Sequence, residues 1–314
     1  MDKLGLRTIV RGAYDVQKLR IQMGNRIVGN FKAKLGQEPG KPEEEMDPDS
    51  KAILKRLRER FYKITDGVKT FPRQATFKGD EVISSYTELC LLAQYVDLEK
   101  HEAQHFRRLG NILKEYPIWN GFLESVKGIG PAMGGVIISE IDIHKARYAS
   151  SIWRYAGLDV AADGRGRSRR KEHLEVVEYE NKDGEKAKRD SITFNPFLKT
   201  KLMGVLAASF LKCGETSPYA AVYYERKARL EQHAVYGIAN DEARIAEYKE
   251  KSGGKKYAPK GHRHNMALRF MVKMFLIDLY KAWRELEGLE VFPPYHEAKL
   301  GLKHDDDNGV AVAV

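Results

Sequence analysis

The sequence predicts a mainly α protein: a helical N-terminal region, then a helical domain carrying a helix-hairpin-helix and one small β-hairpin. Three observations lead there. Apolar residues recur at helical spacing along most of the 314 positions. A glycine turn, Gly128-Ile129-Gly130, separates two apolar segments. One stretch, 172–194, places β-rich runs on either side of Asp183-Gly184, a hairpin turn signal.

Composition sets the class. The chain is 42% hydrophobic and 31% charged, which is enough to bury a core and excludes a disordered or collagen-like chain. Two cysteines, Cys90 and Cys213, exclude a disulfide framework and a cysteine-rich zinc site and point to a reducing compartment. No run approaches 18 apolar residues, and the first residues show an acid and no apolar h-region. A soluble cytoplasmic protein with no membrane partner is expected. With 54 basic and 44 acidic residues the net charge is +10, which suggests an anionic partner.

The elements follow in order. Ile9, Val16, Leu19, Ile27 and Phe31 predict a helix from about Leu4 to Lys34. The stretch 36–50, with three prolines and a run of acids, reads as a solvated linker or loop. A helix follows over about 52–65, then a loop over 70–80. The pattern 81–113 predicts the longest amphipathic helix of this half, with Tyr86, Leu89, Leu92, Ala93, Val96 and Leu98 as its apolar stripe. Glu99, Lys100, Glu102 and Arg107 form its polar side. His101 and His105 lie one turn apart, but no third metal ligand is indicated. After the hairpin, helices are predicted at 197–212 and from Ser217-Pro218, with Ser217 as N-cap and Pro218 at the first position. The last helix covers about 264–286, with Phe270, Met271, Met274, Phe275 and Leu279 buried. The expected division is 1–115 (helical, with the acidic loop), 116–300 (helix-hairpin-helix domain with the hairpin 172–194 inserted) and 301–314 (disordered acidic tail).

The segment 122–140 is the sharpest local signal: a short helix, the Gly128-Ile129-Gly130 turn, and a helix opening at Pro131. Glycines let the backbone approach a phosphate without a Cβ in the way. The helix that opens behind them offers unpaired N–H groups and a positive dipole end. Lys127 adds charge, Ile129 would anchor the turn, and Gly134 and Gly135 would allow close helix packing. Such a site holds nucleic-acid backbone without reading bases. A plain tight connection between helices is the alternative.

A basic loop follows. Arg165, Arg167, Arg169, Arg170 and Lys171 fall within the eight residues 164–171. Arginine forks pair phosphates bidentately. A second basic field, 251–277, holds seven lysines and arginines and no acid, among them Lys255, Lys256, Lys260 and Arg263. Two such fields beside a phosphate-binding turn make nucleic acid the expected partner. Ser168, inside the arginine cluster, is the candidate nucleophile on a phosphodiester; a plain polar loop residue is the other reading.

From about Val126 to Lys281 the chain resembles the C-terminal domain of the insertion-sequence transposases related to the Piv and MooV DNA invertases, some of which are bridge-RNA-guided recombinases. The residues that carry the likeness are VKGIGPAMGGVIISEI (126–141), ARYASSIWRYAGLDV (146–160), GRGRSRRK (164–171), FLKTKLMGVLAASFLK (197–212), SPYAAVYYERKAR (217–229) and HNMALRFMVKMFLIDLYKAW (264–283). The resemblance implies DNA recombination by an assembled oligomer, a serine nucleophile from the loop after "AGL", and an N-terminal RuvC-like domain with four metal-binding acids. That acid tetrad is not recognisable here, so no cofactor is evident and magnesium chemistry is not expected of this chain alone. The family serine lies soon after "AGL", where this chain has Asp159 to Asp163; Ser168 sits later.

Two functions follow. One is a DNA-binding transposase or recombinase with possible serine-mediated strand transfer. The other is a non-catalytic protein that binds DNA, a guide RNA or another structured RNA, derived from or accessory to such an element. Either would act at the nucleoid of a prokaryote, or on a phage or mobile element. Self-association is expected from the long helix at 81–113, and a purely structural helical assembly is a third reading.

Overall fold

A run of helices interrupted by one antiparallel hairpin makes up the chain: helix accounts for 67% and strand for 6%. The structure is a computed structural model that describes residues 3–38, 40–67, 72–253 and 257–293, with 61–67 as backbone only. The tail 301–314, Lys255 and Lys256 therefore lie outside the described residues. The chain forms two compact units, Met1–Asn111 and Ile112–Val314. No described helix is long and apolar enough to cross a membrane.

The first unit contains α1 (Lys3–Lys34), α2 (Pro48–Gly67) and most of α3 (Tyr86–Leu113). Its described elements are all helical. Ile27 and Phe31 of α1, Leu54 and Leu57 of α2, and Leu89, Leu92 and Tyr95 of α3 share one core. Leu89 and Leu92 of the α3 stripe thus face the unit's own core. The acidic stretch 36–50 is a tied loop between α1 and α2. Arg58 grips Glu43 with both guanidinium nitrogens at 2.8 and 2.9 Å, and Met46 is buried.

The start of α3 lies five residues later than the pattern suggested. Glu88 N donates to Ser85 Oγ at 3.2 Å and Ser85 N to Glu88 Oε2 at 3.3 Å, a reciprocal cap that fixes the first turn. Glu102, read as part of the polar side, is buried instead. Arg20 of α1 donates through Nε to one of its oxygens, and Gln17 donates to the other at 2.8 Å. Arg20 also reaches Tyr95 Oη at 2.8 Å. Hydrogen bonding to Glu102 outweighs desolvation and holds the Arg20 guanidinium more firmly protonated than usual.

The second unit is organised around α11 (Lys260–Leu286), whose Ala267, Met271, Val272, Phe275, Leu276, Leu279 and Tyr280 are buried. It packs against α4 (Pro117–Gly121), α6 (Ala149–Tyr155) and α9 (Pro218–Gln232). Phe275 of α11 meets Phe210 and Tyr219 edge to face at its centre, each ring centroid 5.5 Å away. Helix α5 (Pro131–Glu140) is buried from Met133 to its end, as expected for a helix that is apolar all round. A Cβ at Gly134 would collide with the Trp119 ring, so only glycine allows the α4–α5 approach.

Between α6 and α7 (Pro196–Lys201) lies the one β-hairpin among the described residues. Strands β1 (Leu174–Glu180) and β2 (Lys186–Ile192) pair from Leu174 with Ile192 to Glu180 with Lys186. Gly184 takes the positive φ of the turn, +80°. The hairpin is closed at its base. Asn195 N donates to Tyr155 O at 2.7 Å, and Gly157, at φ +65°, lies where a Cβ would touch the Phe194 ring at 2.6 Å.

A π-turn joins α7 to α8 (Ala207–Cys213) over Leu202–Leu206. Helices α6 and α10 (Glu242–Lys251) lie where none was expected; α10, too charged to show an apolar stripe, is started by Asp241 accepting from Ala243 N at 2.8 Å. Ser217 occupies the N-cap of α9 as read, but its hydroxyl caps nothing and is buried without a partner.

Replacing Arg20 by Met removes the bonds to Glu102 and Tyr95 and strands a carboxylate. The pair is partly open to solvent, so the expected loss is about 1–2 kcal/mol. Urea unfolding of the full chain measures it; an unchanged midpoint would remove this pair from the account of the first unit.

Candidate nucleic-acid interface

The glycine turn is held from behind. Ile129 is buried, Ile129 N donates to Val126 O at 3.1 Å, and Gly128 sits at φ +97°. Ser209 of α8 donates to Gly128 O at 2.7 Å, and a Cβ at Gly128 would touch Phe210 at 3.0 Å. The open side carries Gly130 and Lys127, both exposed. Among the described residues, neither the Gly130 nor the Ala132 amide finds a hydrogen-bond partner. Those amides are the unpaired donors a helix start presents to an anion. The arm before the turn is broken: α4 stops at Gly121 and a 3-10 turn, Leu123–Ser125, follows, because Phe122 leaves helical backbone at φ −147°.

The basic loop is folded on itself. Arg167 N donates to Asp159 O at 3.1 Å and Ala161 N to Arg165 O at 2.8 Å, with Val160 and Gly166 bridged antiparallel. The Arg167 side chain staples this shape. Its Nε lies 2.9 Å from both Asp159 oxygens, Nη2 lies 2.8 Å from Oδ2, and Nη1 donates to Thr193 Oγ1 at 3.0 Å. Arg167 is therefore not a free fork, and it holds its proton more tightly than usual because Asp159 accepts from it. The other four behave differently. Arg165, Arg169, Arg170 and Lys171 are exposed, and among the described residues their side chains have no hydrogen-bond or ion-pair partner.

Ser168 sits beside a buried histidine. Its amide donates to His173 Nδ1 at 2.9 Å, its Oγ lies 3.1 Å from the same atom, and His173 Nε2 lies 3.1 Å from Asp163 Oδ2. An amide can only donate, so Nδ1 is an acceptor and the neutral ring carries its proton on Nε2, facing Asp163. The Arg165 amide, then His173, keeps the exposed Asp163 carboxyl below its usual range. The result is a serine, a base and an orienting carboxylate in a row. Composition pointed to Ser168 alone. His173 and Asp163 each lie five positions from it in a loop, where spacing carries no geometric signal.

The second basic field meets the first through one helix. The guanidinium of Arg269 on α11 lies where a Cβ at Gly166 would be, and Lys199 of α7 donates to Arg167 O at 2.5 Å. Burial, with Arg269 and Arg167 nearby, pulls the Lys199 ammonium down to about 8 against a smaller opposing effect of Asp159. Lys260 is exposed at the start of α11. Arg263 is a correction. The helix begins a turn earlier than the pattern implied, which puts Arg263 on its buried face. There it donates to Tyr236 O at 3.2 Å and Asn240 Oδ1 at 2.6 Å, so it fastens a loop and is not presented to a ligand.

Comparison with family models, with curated proteins and with solved structures finds no match to this chain.

Proposed function

We propose that this protein binds nucleic acid, DNA first, by its phosphate backbone, and that it is a transposase- or recombinase-like protein whose Ile112–Val314 unit does the gripping. The observation that carries the reading is the set of four exposed, unpaired cations, Arg165, Arg169, Arg170 and Lys171, on a loop braced from within by Arg167. Exposed charges on a preformed loop meet phosphates without first breaking other bonds. The open amides at Gly130 and Ala132, with Lys127, add a second phosphate contact of the same sequence-blind kind. A guide or structured RNA offers the same phosphates, and competition between a DNA duplex and an RNA hairpin separates the two polyanions.

A second, catalytic reading is favoured by the row Ser168, His173, Asp163. In it Ser168 Oγ attacks phosphorus and passes its proton to His173 Nδ1, a Ser–O–P bond forms, and a P–O bond to one sugar oxygen breaks. That oxygen takes a proton from water and leaves as a hydroxyl, while the histidine returns its extra proton to solvent. The Ser168 amide competes for the same nitrogen and must shift its bond as the proton arrives.

Affinity for a mixed-sequence duplex, measured against salt, is expected to give a log–log slope of about −4 to −5 from the loop cations and Lys127 alone, since each neutralised phosphate contributes about −0.9. Changing the four free loop cations to Gln should flatten it by three to four and leave the unfolding midpoint alone; a slope near zero in the parent chain would contradict the proposal. For the catalytic reading, a nicked or branched substrate should trap a covalent adduct that Ser168→Ala abolishes and His173→Gln slows about 100-fold. An adduct that survives Ser168→Ala sinks it.

A further inference from the structure

We infer that Lys199 of α7 and Arg269 and Lys273 of α11 form a phosphate-binding site on the inner side of the glycine–arginine loop. It is separate from the exposed loop cations. The inference rests on the nucleic-acid reading for its source of phosphate.

The three cations converge at the loop. Lys199 Nζ reaches Arg167 O at 2.5 Å, and the Arg269 guanidinium lies against Gly166. Lys273 follows Arg269 by one helical turn on the same face, and its Nζ lies 5.0 Å from the Trp153 ring centroid. All three cations are half-buried. Among the described residues no carboxylate lies within ion-pair distance of Lys199, Arg269 or Lys273. Asp159 pairs with Arg167 and offsets Lys199 and Lys273 only from a distance.

Like charges stacked on one helix face and shielded from water oppose folding unless an anion answers them. The shielding has a visible effect: burial lowers the proton affinity of Arg269 and Lys273. An oxyanion answers the three cations together. A phosphate does so as a free ion or as part of a nucleic-acid backbone.

The test uses the full chain with two probes, inorganic phosphate and a mixed-sequence DNA duplex. In phosphate-free buffer, Arg269→Gln and Lys273→Met should melt at the parent temperature or above it, because each removes an unanswered charge. A residue kept for packing or pairing would instead melt lower. Added phosphate should raise the parent Tm with the logarithm of its concentration, and these variants should lose that rise. On the duplex, the pair of substitutions should cut affinity about tenfold and flatten the salt slope by about one to two. Gly166→Ala, which adds a methyl group where the Arg269 guanidinium lies, should weaken both responses with the fold intact.

Phosphate and duplex responses left at parental strength by all three variants overturn the site. If the duplex slope is then still steep, the nucleic-acid reading stands without it. A variant-sensitive phosphate response beside a flat duplex slope keeps the site, assigns it to free phosphate, and removes the nucleic-acid reading.

Discussion

The chelate between Arg167 and Asp159 is the contact on which the proposed interface depends. A loop of five cations repels itself and has little reason to hold a shape. One of the five is diverted inward. Its guanidinium closes on Asp159 and Thr193, and the backbone of 159–167 folds into a small bridged turn around that pair. The remaining four cations are left outward on a formed loop. The same closure places the Arg167 carbonyl before Lys199 and Gly166 before Arg269.

Charge in this protein therefore exists in three states. Some is neutralised within the fold, as in Arg20 with Glu102 and Arg58 with Glu43. Some is exposed and unpaired at 165–171. Some, at Lys199, Arg269 and Lys273, is half-shielded with no carboxylate at ion-pair distance among the described residues. A net charge of +10 does not distinguish these states, although they have opposite consequences for stability and for binding. The two basic fields that are far apart in sequence become one region because α11 carries Arg269 and Lys273 back to the loop.

The order of helices and the hairpin were legible from spacing and turn chemistry, which act over a few residues. Gly128, Pro131 and Asp183-Gly184 mark their own backbone requirements wherever they occur. The cap at Ser85 and Glu88 was equally local and readable, and it explains why α3 starts where it does. What was not legible is side-chain pairing at a distance. Glu102 reads as solvent-facing until Arg20, 82 positions away, is packed beside it. Arg263 reads as a free cation until the helix phase is known, since one turn decides whether it faces water or Tyr236. Within the candidate site, Ser168 and the loop arginines were visible as composition. His173, Asp163 and Lys199 were not, because loops have no period from which convergence can be inferred.

Amide hydrogen exchange on the full chain, with and without a saturating DNA duplex, tests the central claim most directly. A loop already formed and bound through backbone phosphates should show slowed exchange concentrated at 128–132 and 164–171, with the Met1–Asn111 core unchanged. Protection confined to other segments, or none at either place while the duplex is bound, would contradict it.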